Sequence, residues 1–176
     1  MSLSADLLDQ ARFLAKKESG KPKQASLRRA VSTAYYSLFH FLGEECSGIV
    51  CGVTPDKRAL RELVCRALDH GKMKTLCQQF KSQKDAQKLL LPFWSTLPIA
   101  STKIDIVAAS FVKLQQERHR ADYDVSSPFT RSDAYSACDM AEASFAAWSE
   151  IKAKHYAVAN LFAVSLLLWP SLASRQ

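Results

Sequence analysis

Two charged side chains occupy positions of a helical stretch where apolar residues would be expected. Residues 104–123 read IDIVAASFVKLQQERHRADY. At about 100° per residue, Arg118 and Asp122 fall on the same stripe as the apolar side chains before them. Those apolar side chains are Ile104, Val107, Ala108, Phe111 and Leu114. Because a buried charge is costly unless it is paired, the two residues either form an ion pair one turn apart or build a site.

Polar side chains crowd the end of this stretch, and a second polar stripe lies earlier in the chain. The residues around the pair are Glu117, His119, Arg120, Tyr123 and Asp124. The earlier stripe, within the helical pattern of residues 24–45, consists of Arg29, Thr33, Tyr36 and His40 at spacings i, i+4, i+7 and i+11. Aromatic residues occur nearly all round that helix, which is typical of a central helix. A polar stripe on a central helix indicates a groove or a subunit interface.

These residue types suit metal-independent cleavage or binding of RNA. Cleavage needs a base that deprotonates the 2′-hydroxyl and a cation that stabilises the phosphorane. Tyrosine rings can stack on a nucleotide base or hydrogen-bond to it. The candidates are His40 or His119 as the base, Arg118 or Arg29 as the cation, and Tyr36 or Tyr123 as the nucleotide contact.

Helical periodicity positions these residues and accounts for most of the chain. The predicted helices cover residues 4–18, 24–45, 55–69, 72–81, 86–91, 101–124 and 130–155. A connection with two glycines is expected at residues 46–54, and Pro92 and Pro98 break the pattern near residue 95. No alternation typical of strands is present. The sequence therefore predicts an all-α fold, an antiparallel bundle of four to five helices with short extra helices in the middle.

Capping signals define some of these boundaries. Thr54 followed by Pro55 is typical of a helix start, and Thr130 with Asp133 forms a capping pattern. The helix predicted at 55–69 would end at Gly71. Its expected buried side consists of Leu60, Leu63, Val64, Ala67 and Leu68.

A strongly apolar stretch lies near the end of the given sequence. Residues 156–174 contain no charged side chain, but Asn160, Ser165 and Pro170 interrupt a run shorter than the roughly 20 residues that a spanning helix needs. We expect a continuation of the last helix that packs on the bundle or on a second copy, and not a membrane segment. The predicted organisation is one helical domain at 1–155, with 71–100 as a cap or insertion, and a C-terminal extension at 156–176.

Charge and cysteine usage narrow the class of protein. The chain of 176 residues has a formal charge of +7, and the basic excess is concentrated in residues 1–30 and 55–90. Such segments either bind an anionic partner such as RNA or are solvated lysine-rich faces. Five cysteines at irregular spacing lack a CxxC pair and a zinc-site arrangement of histidines, so we expect reduced thiols, no metal and no cofactor. Together with the absence of a signal-like N-terminus, this predicts a cytoplasmic protein.

Two motifs in order resemble the HEPN superfamily of bacterial helical domains. They are AYYSLFH within residues 34–40 and RHRADY at 118–123, followed by an alanine-rich helix. The similarity covers roughly residues 4–155. It implies a helical bundle that is usually a homodimer, often encoded beside a minimal nucleotidyltransferase, and many members are metal-independent endoribonucleases of toxin-antitoxin or defence systems.

The chain departs from the ribonuclease motif of that family. RNA-cleaving members typically carry an arginine followed, after four to six residues, by a histidine, whereas Arg118 is followed by Asp122 and Tyr123 in an R-x-x-x-D-Y pattern. We therefore expect a homodimeric component that binds a nucleotide or nucleic acid through Arg29, Tyr36, Asp122 and Tyr123. The alternative is an endoribonuclease that uses Arg118 with His119 or His40.

Overall fold

The computed structural model describes residues 2–81 and 101–173. In this part of the chain every regular element is helical, which confirms the predicted all-α class. The helices are α1 (Leu3–Ala15), α2 (Gln24–Cys51), α3 (Arg58–Ala67), α4 (His70–Lys81), α5 (Ser101–Tyr123), α6 (Arg131–Lys154) and α7 (Tyr156–Ala173). A short 3-10 turn, Pro55–Lys57, precedes α3.

The contacts divide the chain into two compact units, each built from separate stretches of sequence. The first contains Met1–Phe41 and Ser110–Phe145, and the second contains Leu42–Ala109 and Ala146–Gln176. Helices α2, α5 and α6 each contribute residues to both units. All the candidate site residues belong to the first unit.

The core of the first unit follows the predicted apolar stripes. Tyr35 of α2 is fully buried, and its ring centroid lies 5.6 Å from that of Phe111 on α5. Phe41 stacks on Phe145 of α6 with ring centroids 4.0 Å apart. Small buried residues on α6 allow the helices to approach closely; they are Ala134, Ala137 and Ala141. The buried stripes thus bring α2, α5 and α6 together at the positions that the periodicity predicts.

Side-chain hydrogen bonds fix the connection between α5 and α6. Asp124 accepts hydrogen bonds from the backbone N–H and hydroxyl of Ser126, at 3.0 and 2.6 Å, and from the hydroxyl of Ser127 at 2.6 Å. Thr130 and Asp133 form the predicted capping box, since each side chain accepts a hydrogen bond from the other residue's backbone N–H. The helix boundary at Tyr123 is therefore set by local side chains, close to where the sequence predicts it.

The second unit has its own core, to which the apolar tail belongs. Phe162 of α7 is buried between aromatic rings, with its centroid 5.0 Å from Phe80 of α4 and 5.6 Å from Trp148 of α6. Glu45 accepts hydrogen bonds from the Trp148 indole and the Lys152 ammonium group. No helix in the described part of the chain is long and apolar enough to cross a membrane.

The start of α7 differs from the predicted continuation of the last helix. Helix α6 ends at Lys154, and α7 begins after His155. The backbone N–H of His155 still bonds to Ile151, while the His155 carbonyl accepts from Val158 in the next helix. The tail is therefore a separate helix that packs within the second unit.

Three predicted boundaries between residues 46 and 71 were wrong. Helix α2 continues through the expected connection and ends at Cys51. The next residue, Gly52, terminates the helix with a φ of +85° that is favourable only for glycine. Cys46 and Ser47 are buried. The packing of these two side chains therefore outweighs the low helix propensity of Gly48, which follows them in α2. Helix α3 is shorter than predicted, and Gly71 lies inside α4 and does not end a helix.

The predicted buried side of α3 is also wrong. Leu60 and Leu63 are 46% and 64% exposed, and Ala67 is exposed as well. The periodicity correctly indicates an apolar face, but periodicity does not reveal whether another element covers it. The predicted helix at 86–91 and the breaks at Pro92 and Pro98 lie outside the described residues.

Candidate functional site

Arg118 is the centre of a cluster of side chains from α2 and α5. Its Nε lies 2.8 Å from Oδ2 of Asp122, and its Nη2 donates a 2.8 Å hydrogen bond to the Tyr36 hydroxyl. Its Cζ lies 5.5 Å from the Tyr36 ring centroid and 5.7 Å from that of Tyr123. The ion pair expected at i, i+4 is thus present. The pair also belongs to a larger cluster with Tyr36 and Tyr123, which brings together the predicted polar stripe on α2 and the polar end of α5.

The surroundings of Arg118 favour its charged form. Partial burial by itself opposes the charge, but the hydrogen bond with Tyr36 and the interactions with Asp122 and Tyr123 outweigh it and raise the pKa of Arg118. The side chains of Arg118 and Asp122 are only 22% and 23% exposed. A fixed, partly desolvated guanidinium of this kind binds phosphate more strongly than a fully solvated one.

The contact between Arg118 and Asp122 leaves hydrogen-bonding capacity unused. Nε of Arg118 is buried, and among the described residues it has no hydrogen-bond acceptor in suitable geometry. The 2.8 Å contact with Asp122 is therefore an electrostatic contact without the direction of a hydrogen bond. Asp122 Oδ2 also accepts a long, 3.4 Å hydrogen bond from Ser32.

The ring of Tyr123 lies between the side chains of Arg118 and His119 and is exposed to solvent. Tyr123 is 64% exposed, and the His119 ring lies against it with centroids 4.8 Å apart. His119 is itself exposed. Arg118 and His119 thus touch the same aromatic ring. Exposed rings beside a cation are suitable platforms for stacking nucleic-acid bases.

A groove of about 470 Å³ lies beside this ring. It is lined by Ala25, Arg28, Arg29, Ala121, Asp122 and Tyr123. Arg29 is exposed and forms no hydrogen bond or ion pair with any described residue. An anion in the groove would therefore meet a cation that has no intramolecular partner in the described chain.

Arg28, which lines the same groove, has a structural role. Its guanidinium donates to the carbonyls of Ala121 at 2.9 Å, Ser127 at 2.7 Å and Arg120 at 3.4 Å. These carbonyls lie at the end of α5 and in the following turn, where helical hydrogen bonds run out, although the Arg120 carbonyl still accepts from the backbone N–H of Asp124 at 3.0 Å. No pattern in the sequence indicates this role, because the adjacent Arg28 and Arg29 are the same residue type and only the fold distinguishes them.

His40 is the one candidate that the structure does not bring to the cluster. Its ring lies 5.5 Å from that of Phe39, and partial burial lowers its pKa and so favours the neutral imidazole. No hydrogen bond or ring contact joins His40 to Arg118 or Tyr123 within the described residues. It has the protonation state of a base but not the position of one beside Arg118.

Other charges near the cluster are paired locally. Glu117 contacts Arg120 at 2.8 Å and Lys113 at 2.7 Å, and the Arg120 guanidinium lies 4.2 Å from the Phe129 ring centroid. The i, i+3 and i, i+4 spacings in the sequence could have indicated these pairs. The described residues contain no group of three or more His, Cys, Asp or Glu arranged to hold a metal ion.

No protein-family model, curated protein or solved structure matches this chain. The interpretation of the site therefore depends on its geometry and on the sequence pattern.

Proposed function

We propose that this HEPN-like protein binds a nucleotide or single-stranded RNA at the Arg118 cluster and the adjacent groove. The protein would act as a homodimeric component of a toxin-antitoxin or defence-type system in the cytoplasm, alongside a nucleotidyltransferase. The system, the dimer and the partner enzyme follow from the resemblance of AYYSLFH and RHRADY to HEPN domains. The geometry of the first unit supports the binding role.

One observation carries the binding proposal: an exposed aromatic ring and an arginine without a partner among the described residues line one groove, and a second, fixed arginine lies against the same ring. Arg118 contacts the Tyr123 ring at 5.7 Å, and Tyr123 lines the groove together with Arg29. The two guanidinium groups supply phosphate contacts, and the 64% exposed Tyr123 supplies a stacking surface for a base. A ligand with both a phosphate and a base uses all three groups at once.

Binding is favoured over catalysis because no base is fixed beside Arg118. His119 is exposed and touches only the Tyr123 ring among the described residues, while Asp122 already contacts the guanidinium. The alternative function, a metal-independent endoribonuclease, is supported by the contact of both Arg118 and His119 with the same ring. A substrate stacked on Tyr123 would lie within reach of both side chains.

Binding is tested with a fluorescein-labelled single-stranded oligoribonucleotide in an anisotropy titration. Since each charge-assisted phosphate contact contributes roughly 1.5–3 kcal/mol, we expect Arg118→Ala and Arg29→Ala each to weaken binding about tenfold or more. Arg66→Ala, which removes an exposed arginine of the second unit, is the matched control and should change the affinity less than about twofold. Unchanged binding by Arg118→Ala would refute the proposal.

The ribonuclease alternative is tested by incubating the same RNA with the wild type and with His119→Ala and His40→Ala, all in the presence of EDTA. Cleavage that disappears in His119→Ala but persists in His40→Ala would establish the endoribonuclease function. Binding without cleavage by the wild type supports the binding role.

Light scattering on the same preparations measures whether the protein is a dimer.

A further inference from the structure

Helix α3 carries an apolar stripe that faces solvent. Leu60 and Leu63 are 46% and 64% exposed, and Ala59 and Ala67 are exposed too. At about 100° per residue these four side chains fall within one arc of the helix. Arg66 borders this arc, Glu62 and Arg58 follow it on the same side, and Arg61 lies on the far side of the helix. None of the residues of α3 is buried. A helix whose apolar and charged side chains lie on separate faces, and whose average composition is polar, is typical of helices that lie at the surface of a membrane.

The polar arc of α3 and its neighbourhood are basic. Residues 55–81 contain seven basic and three acidic side chains. Arg58 is 80% exposed and contacts Glu62 at 3.0 Å. Arg66 is exposed and has no hydrogen-bond or ion-pair partner among the described residues. The surface that complements α3 must therefore be apolar beneath the leucines and negatively charged around them.

The opposite edge of α3 is anchored, which holds the stripe outward. Arg61 donates hydrogen bonds to the carbonyls of Gly52 and Thr54, at 2.8 and 3.0 Å. The Cys65 thiol donates to the Ser47 hydroxyl at 3.4 Å. Helix α3 thus has a fixed orientation on α2 within the second unit, and its leucines are already presented to solvent without rearrangement.

We infer that α3 docks on an anionic lipid surface. The leucine stripe enters the headgroup boundary while Arg58 and Arg66 contact anionic headgroups. A second copy of the chain is disfavoured, because pairing two α3 stripes would also bring their basic borders together. A protein partner is disfavoured because leucine is under-represented among the residues that dominate protein–protein binding energy, and the exposed apolar side chains of α3 are leucine and alanine.

The test measures co-sedimentation of the full-length chain with vesicles at low ionic strength. We expect binding to vesicles of equal parts phosphatidylglycerol and phosphatidylcholine, and none to phosphatidylcholine alone. Leu60→Glu with Leu63→Glu should abolish binding. Arg58→Gln with Arg66→Gln should weaken binding about tenfold or more, because each basic side chain near an anionic surface contributes roughly a fivefold change in affinity. Added salt should also weaken the binding of the wild type to anionic vesicles, because it screens the attraction between basic side chains and headgroups.

The control is Phe13→Glu, which places a carboxylate at a similarly exposed apolar position, 57% exposed, on α1. It should bind vesicles as the wild type does. The inference is overturned if the wild type does not bind anionic vesicles, or if the leucine variants still bind. It is also overturned if Leu63→Ser lowers the thermal midpoint by several degrees, since the stripe would then be covered within the chain. Conversion of an oligomer to a monomer by the leucine variants would show a second copy as the occupant and would equally overturn it.

Discussion

The carboxylate of Asp122 contacts Arg118 and would compete with the anionic ligand that we propose for the site. It lies 2.8 Å from Arg118 Nε and lines the groove beside Tyr123. A phosphate oxygen that approaches Arg118 from the groove meets this negative charge. Because the contact lacks the direction of a hydrogen bond, Asp122 holds the guanidinium less firmly than the 2.8 Å bond to Tyr36 does.

Asp122→Asn should therefore strengthen anion binding. Removing a negative charge about 3 Å from the guanidinium eliminates the competition, and we expect a gain of roughly five- to tenfold in oligoribonucleotide affinity. The variant should cost no more than about 1 kcal/mol of folding free energy, as is usual for an accessible ion pair.

Asp139→Asn is the matched control, since Asp139 is an exposed ion-pair partner of Arg12 in the same unit. The affinity of the Asp139→Asn variant for the oligoribonucleotide should stay at the wild-type value. A loss of affinity in Asp122→Asn would instead mean that Asp122 is needed to position Arg118.

The turn after α5 should make stability depend on pH in the acidic range. Hydrogen bonds from Ser126 and Ser127 lower the pKa of Asp124 to about 2. Because this value lies below the ordinary aspartate pKa, the charged carboxylate contributes its full stabilisation above pH 4 or so, and the contribution is lost as the pH falls towards 2.

Asp124→Asn should accordingly unfold at a lower temperature than the wild type at pH 7, and the gap between them should close between about pH 4 and pH 2. Thermal unfolding followed by circular dichroism across this range measures the gap. A gap that persists unchanged at pH 2 would show that Asp124 acts through its shape and not through its charge.

At the scale of elements, two adjacent arginines on α2 have different functions. Arg28 satisfies carbonyls at the end of α5, whereas Arg29 points to the groove without a partner in the described chain. The end of α5 is thus held by α2, and this contact sets the position of Asp122 and Tyr123 relative to Arg29.

Arg28→Ala should destabilise the fold, and Arg29→Ala should not. Loss of a charged donor to buried carbonyls costs roughly 2 kcal/mol, while an exposed substitution without partners stays within about 0.5 kcal/mol. Urea unfolding of both variants measures the difference. Equal stability of the two variants would contradict the capping role of Arg28.

At the scale of the whole molecule, the apolar tail is an integral part of a core and not an addition to one. Phe162 is fully buried against Phe80 and Trp148. The pattern of α7 alone was compatible with packing on the bundle, on a second copy or on lipid. Its buried face now belongs to the second unit, while Val164 on the opposite face is 42% exposed.

Phe162→Ala should lower the free energy of unfolding by roughly 3–5 kcal/mol, as expected for an emptied aromatic site in a packed core. Val164→Ala on the same helix is the control, and we expect an effect of less than about 1 kcal/mol. Urea titrations monitored by circular dichroism measure the free energy of unfolding of both variants. Equal effects would place Phe162 outside the core.

The sequence alone determined the fold class, the stripes of the long helices and most members of the Arg118 cluster. Apolar residues recur at helical spacing because burial against any neighbour requires one apolar face. Arg118 and Asp122 were found because charges on such a face must be paired. The capping box of Thr130 and Asp133 was equally visible, since both partners lie within one turn of the chain.

Only the tertiary structure decided which faces are covered and which charges are free. The leucines of α3 and the buried side of α7 have similarly apolar patterns, yet the first stripe is exposed and the second is packed. Arg28 and Arg29 are indistinguishable until the end of α5 is placed beside one of them. His40 satisfied the chemistry but not the position. In each case the deciding partner is distant in sequence, and local periodicity contains no information about it.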